Sequence, residues 1–344
     1  MLTATLLLLY FRRRVSSDTS AHWDVMLMHK IMASGDGPPC LKNALHFSIT
    51  RSFLHRKWWL NDPDCVILPG TGLTGSEMIL QMTIICMSGG VVVISEDMPS
   101  LDLNNFALLK KILPTSQLVC GQPRNVLLHR FPKLYVCSGS DPSQRSSLFA
   151  FINWKSFNVT LNSKIDLEDE LRYISSTACE NFEDGVSEGL GDIFSRFFFF
   201  DFWKERPLRE DLMLHMKPHS TRALIATLFD GSQNPKLIGN SFHLIAMVDG
   251  RISGEVSRET NQFIVSAKDM VCEIGKLWIA MPTDTVVKSL QKTEILSNVS
   301  VNVVSTVESC SHQGWSIVQL SVDTSETGND GAYKDGKWYI KLNL

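Results

Sequence analysis

From Thr74 to Ser95 the sequence sets a capped apolar helix directly against a β-branched strand, and few architectures accept that order. Thr74-Gly-Ser-Glu77 has the spacing of a capping box, with Thr74 at the N-cap and Glu77 three residues on. The apolar helix it opens runs through Met87 and closes at Ser88-Gly-Gly90, where glycine takes a left-handed C-terminal cap without strain. Val91-Val-Val-Ile-Ser95 follows at once, a run that suits a strand buried on both faces, as in a parallel sheet. The flanking sequence repeats the alternation. Phe11–Asp18 can be extended, and Leu41, Ala44, Leu45, Ile49, Phe53 and Leu54 space a helix over residues 41–57. Trp58–Leu68 reads as strand plus loop, and Leu101–Leu113 as a helix stopped by Pro114. Residues 11–113 therefore predict three β/α units of a parallel sheet, with Asp18, Asp62 and Asp97 near one strand edge. Acids at the C-terminal ends of strands are where a (β/α)8 barrel keeps its active site. Three strands cannot close such a barrel. The expectation is either a small open sheet or the last part of a barrel.

The stretch Arg56-Lys-Trp-Trp-Leu-Asn-Asp-Pro-Asp-Cys65 carries the chemistry. Two indoles lead into Asn61, Asp62 and Asp64, and Pro63 holds the backbone between the carboxylates. A sugar offers an apolar C–H face for the indole and hydroxyls for the carboxylates, so the pattern suits a carbohydrate site. The plainer alternative is a Pro-Asp turn after a buried strand.

Beyond residue 116 the texture changes to short alternating segments separated by turn signals. Strands are expected at Asn125–Phe131, Lys133–Val136, Ser147–Trp154, Asn158–Leu161, Phe197–Trp203, Leu212–Met216, Arg222–Leu228 and Phe263–Ser266, then at Leu277–Met281, Ser300–Val307, Trp315–Val322 and Lys337–Leu342. Scarce helical periodicity argues for an antiparallel sandwich or two. The acidic, glycine-containing stretch Asp166–Gly191 is expected as a surface loop, and the four phenylalanines Phe197–Phe200 as core. The fold class is thus α/β plus all-β. Residues 1–115 would be the partial barrel, 116–235 an antiparallel β-sandwich, and 236–344 a further β-rich module.

Composition narrows the partners. A chain of 344 residues with 44% hydrophobic residues can bury a sizeable core. A formal net charge of −3 and a pI near 6.3 give no reason to expect nucleic acid or an anionic membrane. The 8 cysteines are scattered without C-x-x-C or metal-ligand spacing, so free thiols are expected and no metal site or cofactor. Gly70-Thr-Gly-Leu-Thr-Gly75 lacks the βαβ context of a dinucleotide loop and reads as a lead into the helix. Leu2–Phe11 is apolar but too short to span a bilayer, and its arginines follow it, unlike those of a signal peptide. A buried helix or strand is expected there, with membrane targeting as the alternative. Two glycosylation sequons, at Asn158 and Asn298, decide no compartment.

Three segments in order resemble one family. Arg14-Val-Ser-Ser-Asp18-Thr-Ser-Ala-His-Trp23, Trp59-Leu-Asn-Asp-Pro-Asp-Cys65 and Met87-Ser-Gly-Gly-Val-Val-Val-Ile-Ser-Glu-Asp97 are similar to the C-terminal part of the catalytic barrel of α-galactosidases (melibiases) of glycoside hydrolase families 27 and 36. Phe151-Ile-Asn-Trp154, Phe200-Asp-Phe-Trp203-Lys-Glu and Lys217-Pro-His219 resemble segments of the β-sandwich that follows such barrels. The resemblance covers roughly residues 12–240, about two thirds of the chain.

The resemblance implies a glycosidase that releases terminal α-galactosyl groups with retention, and an oligosaccharide or glycoside as partner. It implies Asp18 as general acid/base, with Arg14, Trp59, Asp62 and Asp64 binding substrate and Asp97 structural. Retention needs a second carboxylate about 5–5.5 Å from the first. In the family that nucleophile lies in a Lys-x-Asp segment on an earlier strand, and no such segment precedes Asp18 here. The expectation is a truncated chain carrying only the acid/base half of the pair, able to self-associate through the open sheet edge. The competing expectation is a non-catalytic carbohydrate-binding or scaffold protein of the same descent.

Overall fold

The computed structural model describes residues 12–24, 39–68, 72–116, 118–139, 146–179, 193–208, 212–229, 231–270, 274–284, 296–297, 299–308, 314–325 and 337–343. The readings of Leu2–Phe11, of Gly70 and Thr71, of the Asn298 sequon and of residues 180–191 lie outside them. In chain order the elements begin with β1 (Arg12–Arg14), α1 (Leu41–Thr50), β2 (Leu60–Asp62), β3 (Cys65–Val66), α2 (Gly75–Ser88), β4 (Val93–Ile94) and α3 (Leu103–Lys110). Next come β5 (Gln122–Pro123), β6 (Leu134–Ser138), β7 (Ser146–Asn153), β8 (Val159–Asn162), α4 (Ser163–Cys179), β9 (Phe197–Asp201), β10 (Arg206–Leu208), β11 (Met213–Met216) and β12 (Ser220–Leu228). The rest is β13 (Lys236–Asn240), β14 (Ile252–Ser257), β15 (Gln262–Ala267), β16 (Ile274–Pro282), β17 (Leu296–Ser297), β18 (Ser300–Glu308), β19 (Trp315–Asp323) and β20 (Trp338–Asn343). Contacts divide the chain into two compact units. The first holds Met1–Ser138, Phe149–Leu161 and His215–Ala223, and the second holds the remainder.

The first unit contains the parallel pairings. β1 runs parallel to β2 with Arg14 opposite Asp62, and β3 runs parallel to β4 with Val66 opposite Ile94. Strands β2 and β3 are one path broken at Pro63 and Asp64. Proline donates no ladder hydrogen bond, and Asp64 sits at φ +75°. The helix between β3 and β4 forms as its sequence dictates. Thr74 and Glu77 close both halves of the capping box, and Gly89 ends α2 at φ +66°. Nearly every side chain of α2 from Met78 to Ser88 is buried, which is how a helix apolar all round must sit. At Gly90 the backbone passes directly under the Asn61 carbonyl, and the Val91 N–H donates to that oxygen at 3.0 Å.

The second unit is dominated by antiparallel strands. β9 pairs with β10 and β12, and Phe197–Asp201 are all buried, as expected for core phenylalanines. Two four-stranded sheets follow, in the orders β13-β16-β19-β18 and β14-β15-β20-β17, antiparallel throughout. Close packing depends on two glycines: Gly239 lies against the Phe200 ring and Gly275 against Phe242. A Cβ at either would enter the ring.

Several expectations are corrected. The Val91–Ser95 run shrinks to Val93–Ile94, and its valines are half-exposed instead of buried on both faces. Among the described residues β4 pairs with β3 alone. The helix expected over 41–57 ends at Thr50, where a 3-10 turn at Ser52–Leu54 leads into the positive-φ residue Arg56. Asn125–Phe131 is a turn, because Asn125 itself is left-handed at φ +57° and Val126–Leu128 stay exposed. The described part of Asp166–Gly191 is helical: Ile174, Leu171 and Leu167 recur at helical steps within α4, a period hidden by the surrounding acids.

The Gly90 contact gives a direct test. Gly90→Ala should destabilise the chain by about 2 kcal/mol or more, because the methyl group meets backbone that cannot give way. Gly75→Ala, in open space at the first turn of α2, should be neutral or slightly stabilising. Urea midpoints of the two variants check both signs.

Candidate functional site

One guanidinium organises the candidate site. Arg14 closes β1, and its Nη2 donates to Asp18 Oδ1 at 3.1 Å and also bonds Asp64 Oδ2. The same Asp64 oxygen accepts the Thr19 backbone N–H at 2.7 Å. Asp62, opposite Arg14 in the parallel register, takes Arg12 Nε at 2.9 Å and accepts the Asp64 N–H at 3.0 Å. Strand alternation puts Arg12 and Arg14 on one face, which is why both reach the acids of the next strand. Burial differs steeply across this cluster. Side-chain exposure is 7% for Asp62, 15% for Asp64 and 75% for Asp18. Asp18 is therefore the carboxylate presented to solvent, and the other two form its floor.

The segment carrying Asp18 is fastened at both ends. The Val15 N–H donates to the Asp62 carbonyl at 3.0 Å, and Arg51 Nη1 donates to the Val15 carbonyl at 2.6 Å. Further on, the His22 and Trp23 carbonyls accept the Leu41 and Lys42 N–H groups that open α1, at 2.9 and 3.0 Å. Helix N–H groups of the first turn lack intrahelical acceptors, so this segment supplies them. Behind the floor, Asn61 is buried and donates through its side chain to the Arg51 carbonyl at 3.1 Å. The Asn61 backbone N–H donates to His55 Nδ1 at 3.2 Å. Burial, with the Arg56 charge adding to it, lowers the His55 pKa to about 4.

The structure gathers Arg14, Asp18, Asp62 and Asp64 and leaves two other residues aside. Trp59 stands with Arg13, whose guanidinium lies 5.1 Å from the ring centre, while Arg12 and Arg14 alternate to the opposite face. Trp58, edge-on to it at 5.9 Å, is exposed. Asp97 follows β4 and is exposed, and its backbone carbonyl accepts the Ser100 hydroxyl. The acid that ties this end of the sheet together is its neighbour Glu96, which accepts the Leu68 N–H at 2.9 Å. β1 pairs in parallel with β2 and β3 with β4, as two separate two-stranded sheets, so the pairing joins the ends of β3 and β4 but not that of β1. Glu96 was visible in the Ser-Glu-Asp pattern, but adjacent acids on a strand end point to opposite sides and spacing does not choose between them. Also missed from spacing was His219, which stacks on Trp23 with ring centroids 4.1 Å apart. Among the described residues no group of three or more His, Cys, Asp or Glu could hold a metal ion, and no helix is long and apolar enough to cross a membrane. Cys40, Cys65, Cys86, Cys120 and Cys137 form no disulfide.

No family model matches the chain. Solved structures similar to it include α-galactosidase I from Mortierella vinacea, 12% identical, covering 63% of this chain and 53% of that one at a TM-score of 0.44. A family 27 glycoside hydrolase, the β-L-arabinopyranosidase of Geobacillus stearothermophilus, is 15% identical over 67% of this chain and 48% of that one, with a TM-score of 0.43. The isomalto-dextranase of Arthrobacter globiformis T6 covers 97% of this chain and 58% of its own, at 10% identity and a TM-score of 0.36. The chain thus spans about half the length of these structures.

His55 makes the site's support pH-dependent. Its folded pKa is about 4, below the ordinary value of 6.5, so its contribution is complete above pH 6.5. Stability then falls as the pH drops from 6.5 toward 4, because the unfolded chain takes up the proton first. Urea unfolding at pH 7 and pH 4 should show a loss on the order of 2 kcal/mol from this group. His55→Asn, which keeps an acceptor for the Asn61 N–H, should remove that part of the pH dependence.

Proposed function

We propose that Arg14, Asp18, Asp62 and Asp64 form a glycosidase-type sugar site of the α-galactosidase class. In this reading β1, β2 with β3, and β4 are β/α units of a barrel, followed by β-sandwich sheets. The single observation that carries it is the Arg14 guanidinium shared by an exposed and a half-buried carboxylate at a parallel strand edge. Asp18 is the group free to exchange a proton with a glycosidic oxygen, as a general acid and then a general base. Arg14 holds Asp18 in place and offers its remaining N–H groups to sugar hydroxyls. Asp62 and Asp64 shape the floor. Trp59 keeps a substrate role only for a part of the ligand that reaches the Arg13 side.

The pairing of the acids favours binding over turnover in residues 1–344. Retention needs a second carboxylate about 5–5.5 Å from the acid/base, free to attack the anomeric carbon. Asp64 shares Arg14 with Asp18, but its outer oxygen is committed to that guanidinium and to the Thr19 N–H. Asp62 is neutralised by Arg12, and Asp24 lies by Lys42 Nζ at 3.4 Å. General acid–base catalysis alone supplies on the order of 10²–10⁴-fold.

The test uses 4-nitrophenyl α-galactoside with the purified chain. Saturable binding is expected, weakened roughly tenfold or more in Arg14→Ala by loss of charged hydrogen bonds. Nitrophenol should appear at the buffer rate, with or without Asp18→Asn. Absence of any binding overturns the sugar reading. Fast release abolished by Asp18→Asn and by Asp64→Asn would instead make Asp64 the nucleophile.

A further inference from the structure

We infer that His219 is a positioning residue for Asp18, acting through Trp23. The inference rests on the acid/base reading of Asp18 above and extends it to a residue about 200 positions later in the chain. Trp23 ends the segment that carries Asp18, and its indole lies on the His219 imidazole at 4.1 Å with the planes 14° apart. That is a stacked pair, worth more than the area it buries.

The imidazole is itself held at both ring nitrogens. Its Nδ1 donates to Glu77 Oε1 at 2.7 Å, and Glu77 is buried at the first turn of α2. The other Glu77 oxygen already accepts the Thr74 N–H and hydroxyl at 2.8 and 2.9 Å, so the carboxylate cannot turn away. On the far side of the ring, Nε2 meets the Ser156 hydroxyl at 3.1 Å. The His219 backbone lies at φ +47° and its N–H donates to the Lys155 carbonyl at 3.2 Å. A left-handed residue other than glycine persists only where its surroundings over-determine it.

A ring fixed this firmly makes a stop for Trp23, and Trp23 stops the Asp18 segment. Without the stack, that segment keeps its backbone anchors at Val15, His22 and Trp23, and the stretch between them is held by the Thr19 N–H, the Arg14 bridge and the Ser20 hydroxyl, which donates to the Pro39 carbonyl at 3.3 Å. The effect passes through the ring face, which the bonds to Glu77 and Ser156 hold in place. This separates His219 from a residue that merely closes a buried polar pair.

Two substitutions divide those roles. His219→Asn suits the left-handed backbone and can keep a donor toward Glu77, but it removes the ring. His219→Phe keeps the ring and loses both hydrogen bonds. The first readout is hydrogen exchange at the Thr19 amide, which needs no ligand. The second is affinity for 4-nitrophenyl α-galactoside. His219→Asn should speed Thr19 exchange and weaken the ligand, each roughly tenfold, with the urea midpoint of the whole chain little changed. His219→Phe, whose ring stacks but is no longer tethered, should recover both in part and so lie between His219→Asn and the wild type. Thr19 protection that survives in His219→Asn overturns the inference, as does equal loss in both variants. If the wild type binds no galactoside, the sugar reading falls while the exchange data still decide the positioning role.

Discussion

The parallel pairing of β1 with β2, with Arg14 opposite Asp62, is the constraint on which the candidate site depends. A slip of one residue would send Arg12 and Arg14 to the other face and leave Asp62 buried without a cation. A buried carboxylate in that condition is costly, because desolvation is no longer offset by an opposite charge. The ion pairs of the candidate site therefore also act as a register device. The same pairs grade the three acids by exposure and leave Asp18 as the one that meets solvent.

Support for this edge comes from elements remote in sequence. α2 is buried nearly all round and brings Gly90 under the Asn61 carbonyl, so β2 is gripped from behind by backbone instead of side chain. Its N-terminal acid serves twice, closing the capping box and orienting His219. An aromatic series continues outward from that ring, from Trp23 to Trp154 at 6.0 Å, to Phe131 at 5.3 Å and to His46 at 4.8 Å. These rings tie the Asp18 segment to α1 and to the turn after residue 125. Offset and tilted aromatic pairs of this kind add specificity beyond burial.

Secondary structure was legible wherever one local signal sufficed. The capping box at Thr74 and Glu77, the glycine that ends α2 and strands such as β9, β16 and β19 form close to where the residues place them. Legibility failed where a distant neighbour decides. The valines at 91–93 read as buried on both faces, but burial depends on a flanking strand, and β4 pairs with β3 alone among the described residues. The helix α4 was hidden because its solvent face is acidic and its apolar stripe is narrow.

The candidate site divides in the same way. Sequence by itself singled out Arg14, Asp18, Asp62 and Asp64, at strand ends and beside a proline that interrupts pairing, and these four do lie together. Only the tertiary structure decided that Arg14 is shared by two carboxylates, that Trp59 turns to Arg13, and that His219 reaches Trp23. Local residues choose a backbone path by short-range sterics and hydrogen bonding. Which side chains then meet is set by register and packing between segments up to about 200 residues apart, and no local pattern encodes that.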